Sequence, residues 1–260
     1  TGSVPAIHGI AGNSFIIQST GKSMYCTEDS TVQGVGTDLP AGKMSPKNLL
    51  TTTITDELRL ATNFRSKVIG VAMKDRGSIL PAGHAANAAY WLDGNGRWIT
   101  STWYMKELPK WVTDFNNKKL PETYLKKDWN TLYPIKTYIQ STGDDSPYEG
   151  KFSGQEKPVF PVKTSTMMEK NVDVIRSTPY GNSYTLDMAR AAIEGEKLGR
   201  RGITDFLSLS LSTPDHIGHR FGPNSIEIED TYLRLDADLA AFFQYLDQKL
   251  GKGSYTVLLT

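Results

Sequence analysis

Three short apolar runs, each bounded by polar residues, constrain the fold of this chain more than any other feature. Residues 67–73 (KVIGVAM) stop at Lys74-Asp75-Arg76-Gly77, residues 205–212 (DFLSLSLS) stop at Thr213-Pro214-Asp215, and residues 255–259 (YTVLL) form the third. Short apolar runs bounded by Gly and Pro fit buried strands better than helices, and the first of them is β-branched as well. Between the second and third runs, Ile228, Tyr232, Leu235, Leu239, Phe242, Leu246 and Leu250 recur at three- and four-residue steps, the apolar stripe of one long helix. Asn224 with Glu227 reads as a capping box at its start and Gly251 as its stop. Further helices over about 46–63 and 186–198 precede the first two strands. This alternation predicts an α/β fold, a mostly parallel sheet flanked by helices and closed by right-handed crossovers.

The middle of the chain breaks the alternation. Residues 90–93 and 97–104 flank Gly94-Asn95-Gly96, a hairpin signal. Beyond it, residues 109–179 are rich in Lys, Asp, Pro, Tyr and Trp and show weak periodicity. The expected organisation is a core of residues 1–78 and 180–260, with 79–179 inserted as a cap subdomain that contains the hairpin. With 38% hydrophobic residues, 260 residues suffice for such a core. The formal net charge is +1, so no global field attracts nucleic acid or an anionic membrane, and neither is expected as a partner. Any anion recognition must be local. No stretch reaches the roughly 18 apolar residues of a membrane span. Cys26 is the one cysteine, so no internal disulfide forms and the redox compartment stays open. No leader pattern is visible at Thr1, which suggests either a processed start or a longer gene product.

Open α/β sheets bind ligands beyond the carboxyl ends of their strands. That rule makes Lys74, Arg76, Asp215 and His219 candidates for one shared site, although a single post-strand cation is more often a solvated surface charge. Asp215 and His219 are four residues apart, and on one side of a tight turn they form a workable pair of zinc ligands. Gly218 would let the backbone pass close to the metal, and His216 points elsewhere. A D-x-x-x-H spacing arises often by chance, but its position after a strand and before Phe221-Gly222-Pro223 strengthens it. Asn13 closes the segment His8-Gly9-Ile10-Ala11-Gly12. Its amide suits an anionic oxygen, yet on spacing alone an ordinary turn is the better reading.

Together, TGSVPAIHGIAGN (1–13), MKDRG (73–77) and STPDHIGHRFGP (212–223) resemble the phosphate-irrepressible type of bacterial alkaline phosphatase. That type belongs to the alkaline phosphatase superfamily, near the nucleotide pyrophosphatase/phosphodiesterases. The resemblance runs through the whole chain, including LPAGHAANAAYWLD (80–93). The D-x-x-G-H-x-x-G-P motif is shared with the phosphodiesterase branch, whereas K-x-R after a strand is more particular to the monoesterases. The resemblance implies that Asp215 and His219 are two ligands of one of two zinc ions. It implies that Asn13 contacts one phosphoryl oxygen and that Lys74 and Arg76 hold the others. Small phosphate monoesters are the expected substrates, since a dianion rewards an extra cation pair. The family's nucleophilic threonine, which forms a phosphothreonine, falls outside these 260 residues, as do the remaining zinc ligands. These residues alone are therefore expected to be inactive. A periplasmic or secreted location is expected as well. The alternatives are a phosphodiesterase or nucleotide pyrophosphatase-like hydrolase, and a non-catalytic fragment that only binds phosphate.

Overall fold

The computed structural model describes residues 1–260. It divides into two compact units, Thr1–Asn117 with Ala189–Ser210 and Lys118–Met188 with Leu211–Thr260. In chain order the first unit contains α1 (Pro5–His8), β1 (Ser14–Ile17), β2 (Lys22–Tyr25), β3 (Gly34–Val35) and α2 (Ile54–Ala61). It continues with β4 (Val68–Ala72), α3 (Asp75–Ala82), β5 (Ala88–Leu92), β6 (Trp98–Ser101) and α4 (Lys110–Asn117). The second unit contains α5 (Leu120–Leu125) and α6 (Thr164–Met168), and the division falls within α7 (Tyr180–Glu196). β7 (Phe206–Ser210) belongs to the first unit; α8 (Thr213–Phe221) and α9 (Ile226–Leu250) belong to the second.

The first unit is built on a five-stranded mixed sheet in the order β3-β6-β5-β4-β7. β4 runs parallel to both neighbours, with Val68 opposite Phe206 and Ile69 opposite Ala88. Every residue of β4 is buried, as its unbroken apolar run demands of a strand covered on both faces. Parallel β4 and β5 need a crossover, which α3 supplies. Gly70 lets α3 lie against β4: a Cβ there would meet the Ala82 Cβ at 3.0 Å and run into the Ser78 carbonyl oxygen. Val68, Ile79, Ala82, Ala89, Trp91 and Ile99 pack into one core between these elements.

Three expectations change. The hairpin expected within the inserted segment exists as β5 and β6, but its strands join the main sheet, β5 against β4 and β6 turned antiparallel. All five residues of β5 (AAYWL) are buried, the pattern of an interior strand. Residues 255–259 form no strand; Val257, Leu258 and Leu259 are 47%, 79% and 83% exposed, and no ladder pairs them. The helix expected from residue 46 starts at Ile54, because Thr53 and Asp56 form a capping box there: Asp56 N–H donates to Thr53 Oγ1 at 3.2 Å and Thr53 N–H to Asp56 Oδ2 at 3.0 Å.

The second unit has its own aromatic core of Trp129, Phe152, Val162, Ile217 and Phe221. α9 begins one residue later than its expected cap: Ser225, not Asn224, accepts the Ile228 N–H at 3.2 Å, and Glu227 takes no part. Gly251 ends the helix as expected, at φ 95°. Of the apolar stripe, Leu235, Phe242 and Leu246 are buried while Tyr232 is 55% exposed.

Candidate functional site

Lys74 stands where β4 becomes α3, as the residue before the first helical turn, with φ −93° and ψ 131°. Asp75 and Arg76 fill that first turn. A strand end feeding a helix N-terminus presents unpaired backbone N–H groups and the positive end of the helix dipole, a natural place for an anion. Lys74 and Arg76 add two positive charges to this turn, and Asp75 offsets one of them. Gly77 keeps the turn tight, since a Cβ there would meet the Ser210 Oγ at 3.1 Å and the Ala72 Cβ at 3.3 Å.

The Arg76 guanidinium is aimed by a residue far away in the chain. Its Nη1 donates to Tyr25 Oη at 3.0 Å, and Tyr25 Oη in turn donates to Asp75 Oδ1 at 3.1 Å. The Thr27 hydroxyl donates to the other Asp75 oxygen. Burial, then the Asp75 charge, pushes the Tyr25 phenol up to about 12, so it stays protonated and keeps this donor–acceptor order at any ordinary pH. The neighbouring Cys26 thiol is raised by burial too, and its backbone N–H donates to the Asn13 carbonyl at 2.9 Å. Asn13 immediately precedes β1, which pairs with β2 through Ser14 opposite Tyr25. The β1–β2 hairpin thus fastens Asn13 at one end and braces Arg76 with Tyr25. Asn13 is exposed.

Tyr25, Thr27 and Cys26 were not singled out in the sequence. Nothing in SMYCT marks a functional segment, and the contact with Arg76 spans 51 residues.

Asp215 and His219 belong to the second unit and lie on α8, not on a tight turn. Their i, i+4 spacing stacks them one helical turn apart, with His219 Nε2 3.3 Å from Asp215 Oδ1. Both side chains are well exposed. Pro214 in the first turn and the buried Ile217 and Phe221 on the opposite face fix the helix so that this pair looks outward. One carboxylate oxygen and one imidazole nitrogen at this separation are a donor set that zinc accepts. They make half of a tetrahedral site, and no group of three His, Cys, Asp or Glu residues stands close enough to hold a metal. No helix is long and apolar enough to cross a membrane.

The first unit thus carries Lys74 and Arg76 at a strand–helix junction, and the second carries the Asp215/His219 pair on α8. The family model for type I phosphodiesterase / nucleotide pyrophosphatase matches residues 1–260, and the chain belongs to that family. Within it, the chain is 58% identical over 261 residues to alkaline phosphatase PhoV of Synechococcus elongatus. It is 61% identical over 264 residues to a protein of Myroides odoratus named a calcium-transporting ATPase. In both cases all of this chain is matched but only 48% of the relative, so the chain spans about half their length. A crystal structure of wild-type alkaline phosphatase PafA, 55% identical, superposes with a TM-score of 0.96 over 98% of this chain and 50% of its own. Another structure of that phosphatase carries replacements of a threonine, an asparagine, a lysine and an arginine together, and superposes with a TM-score of 0.97.

Proposed function

We propose that these residues form part of a zinc-dependent phosphomonoesterase in which Asn13, Lys74 and Arg76 position the phosphoryl group. The observation that carries this reading is the Tyr25–Arg76 hydrogen bond, which holds a guanidinium at the end of β4, beside the N-terminus of α3. A guanidinium with a fixed plane suits two phosphoryl oxygens at once, and Lys74 adds a point charge. A monoester dianion offers the extra charge that this pair rewards; a diester does not. The quadruply replaced PafA lends support, since its altered lysine and arginine stand two positions apart, as Lys74 and Arg76 do. Its altered asparagine lies about sixty positions before that lysine, as Asn13 does here.

In this mechanism Asn13 donates its amide to one phosphoryl oxygen, and Lys74 and Arg76 offset the charge on the others as the transition state develops. Asp215 and His219 would hold one zinc on the exposed face of α8. Zinc, when bound, supplies Lewis-acid polarisation of phosphoryl oxygen. The nucleophile in this reading is a threonine outside residues 1–260, whose hydroxyl oxygen bonds to phosphorus as the ester alcohol leaves; water then displaces the threonine and releases phosphate.

The test uses the full-length protein with an aryl phosphate and the matching methyl aryl diester. Lys74→Ala and Arg76→Ala should each lower kcat/KM for the monoester by about 10²–10³ and for the diester far less. Equal losses on both substrates, or faster wild-type turnover of the diester, would favour the phosphodiesterase reading that the family model by itself suggests.

A further inference from the structure

The second unit has a cavity of about 430 Å³, open to solvent on one side, between α8, α6, the 3-10 helix Val172–Ser177 and the loop at Phe152. It is large enough for a small ligand. Its walls combine cations, Lys170, Arg176 and Arg220, with the apolar side chains of Phe152, Met167 and Val174. Arg176 is balanced, since its Nε donates to Asp173 Oδ1 at 2.5 Å. Lys170 and Arg220 have no acidic partner. Arg220 is instead held in place by neutral groups: Nη1 donates to the Lys151 carbonyl at 2.9 Å, and the guanidinium carbon lies 4.5 Å above the Phe152 ring. Its Nε is inaccessible to solvent and meets no acceptor. An arginine stacked, oriented and left without a counter-charge is the arrangement of an anion site.

We propose that this cavity binds a small organic phosphate or phosphonate dianion, its charge between Arg220 and Lys170 and its apolar body against Phe152, Met167 and Val174. Two unbalanced cations match a dianion better than a carboxylate, and the apolar wall distinguishes an organic ester from inorganic phosphate. α8 presents His216 and Arg220 to this cavity and Asp215 and His219 to solvent, so one helix would carry two different binding faces. The proposal does not depend on Lys74, Arg76 or hydrolysis.

Calorimetric titration of phenylphosphonate into the full-length protein carrying Lys74→Ala and Arg76→Ala tests it, since those changes remove the other anion-binding pair. A saturable site is expected that is weakened about ten-fold or more by Arg220→Met and several-fold by Lys170→Met. Inorganic phosphate and benzoate should each bind more weakly than phenylphosphonate. Absence of saturable binding, or an affinity that neither substitution alters, would overturn the proposal. Lys170 is exposed, so Lys170→Met decides the matter should Arg220→Met fail to fold.

Discussion

Arg76 is a flexible side chain whose usefulness depends on what restrains it. Tyr25 accepts from its Nη1 and donates its own hydroxyl to Asp75, so removing one phenolic oxygen takes from Arg76 its acceptor and leaves Asp75 with the Thr27 hydroxyl alone. Tyr25→Phe should therefore lower monoester kcat/KM by about ten-fold while leaving the thermal midpoint nearly unchanged. The informative measurement is a double-mutant cycle. In an Arg76→Ala background, the Tyr25→Phe substitution should cost almost nothing further, because the group it orients is gone. Full additivity of the two losses would mean that Tyr25 acts on the reaction by some other route.

At the scale of elements, the 129–138 segment of the second unit has little regular structure, and a buried carboxylate ties it to α9, with Arg234 Nη2 donating to the Asn130 carbonyl at 2.7 Å beside it. Asp230 is fully buried and accepts from Trp129 Nε1 at 2.7 Å, Leu132 N–H at 2.6 Å, Tyr138 Oη at 2.6 Å and Arg234 Nε at 2.6 Å. Four donors converging on one side chain replace the ladder that a strand would have provided. Asp230→Ala leaves all four without an acceptor and should destabilise the protein by about 3–5 kcal/mol, read from urea unfolding. Asp230→Asn, which keeps an acceptor oxygen but turns two lone pairs into donors, should cost less than the alanine. A loss under about 1 kcal/mol for Asp230→Ala would show that the segment is held by its apolar contacts instead.

For the whole molecule, Glu227 should make stability fall as pH rises from about 4.5 to about 8. Its side chain is buried. Burial, then the Glu149 and Asp144 charges, raises it from 4.5 to about 8, while burial also raises Glu149 and Asp144. Below pH 4.5 the carboxyl is protonated whether the chain is folded or not, and no penalty arises. Between 4.5 and about 8 the unfolded chain ionises while the folded one keeps its proton, so stability drops steadily, and above about 8 the loss is complete. Glu227→Gln should match wild type near pH 4 and exceed it at pH 9, by a few kcal/mol at most. Thermal melts of the two proteins at both pH values check this, and parallel curves would refute it.

What the sequence alone determined about this protein is what local pattern can encode. The apolar runs that became β4 and β7, the stripe and glycine stop of α9, and the KDR segment at a strand end were all legible, because strand and helix periods and end signals act over a few residues. The i, i+4 spacing of Asp215 and His219 announced proximity, although it is a helix rather than a turn that provides it. Tertiary structure decided the rest. The five apolar residues of β5 were compatible with a local hairpin or an interior strand, and only pairing with β4 selected the sheet. The run at 255–259 has the composition of a strand yet finds no ladder, since a strand exists only when another backbone satisfies its hydrogen bonds. Tyr25 and Arg220 carry no sequence signal at all. Each gains its meaning from a partner beyond the reach of any local pattern, 51 residues away for Tyr25 and on a separate loop for Arg220, where folding brings a phenol to a guanidinium and a guanidinium to an aromatic face.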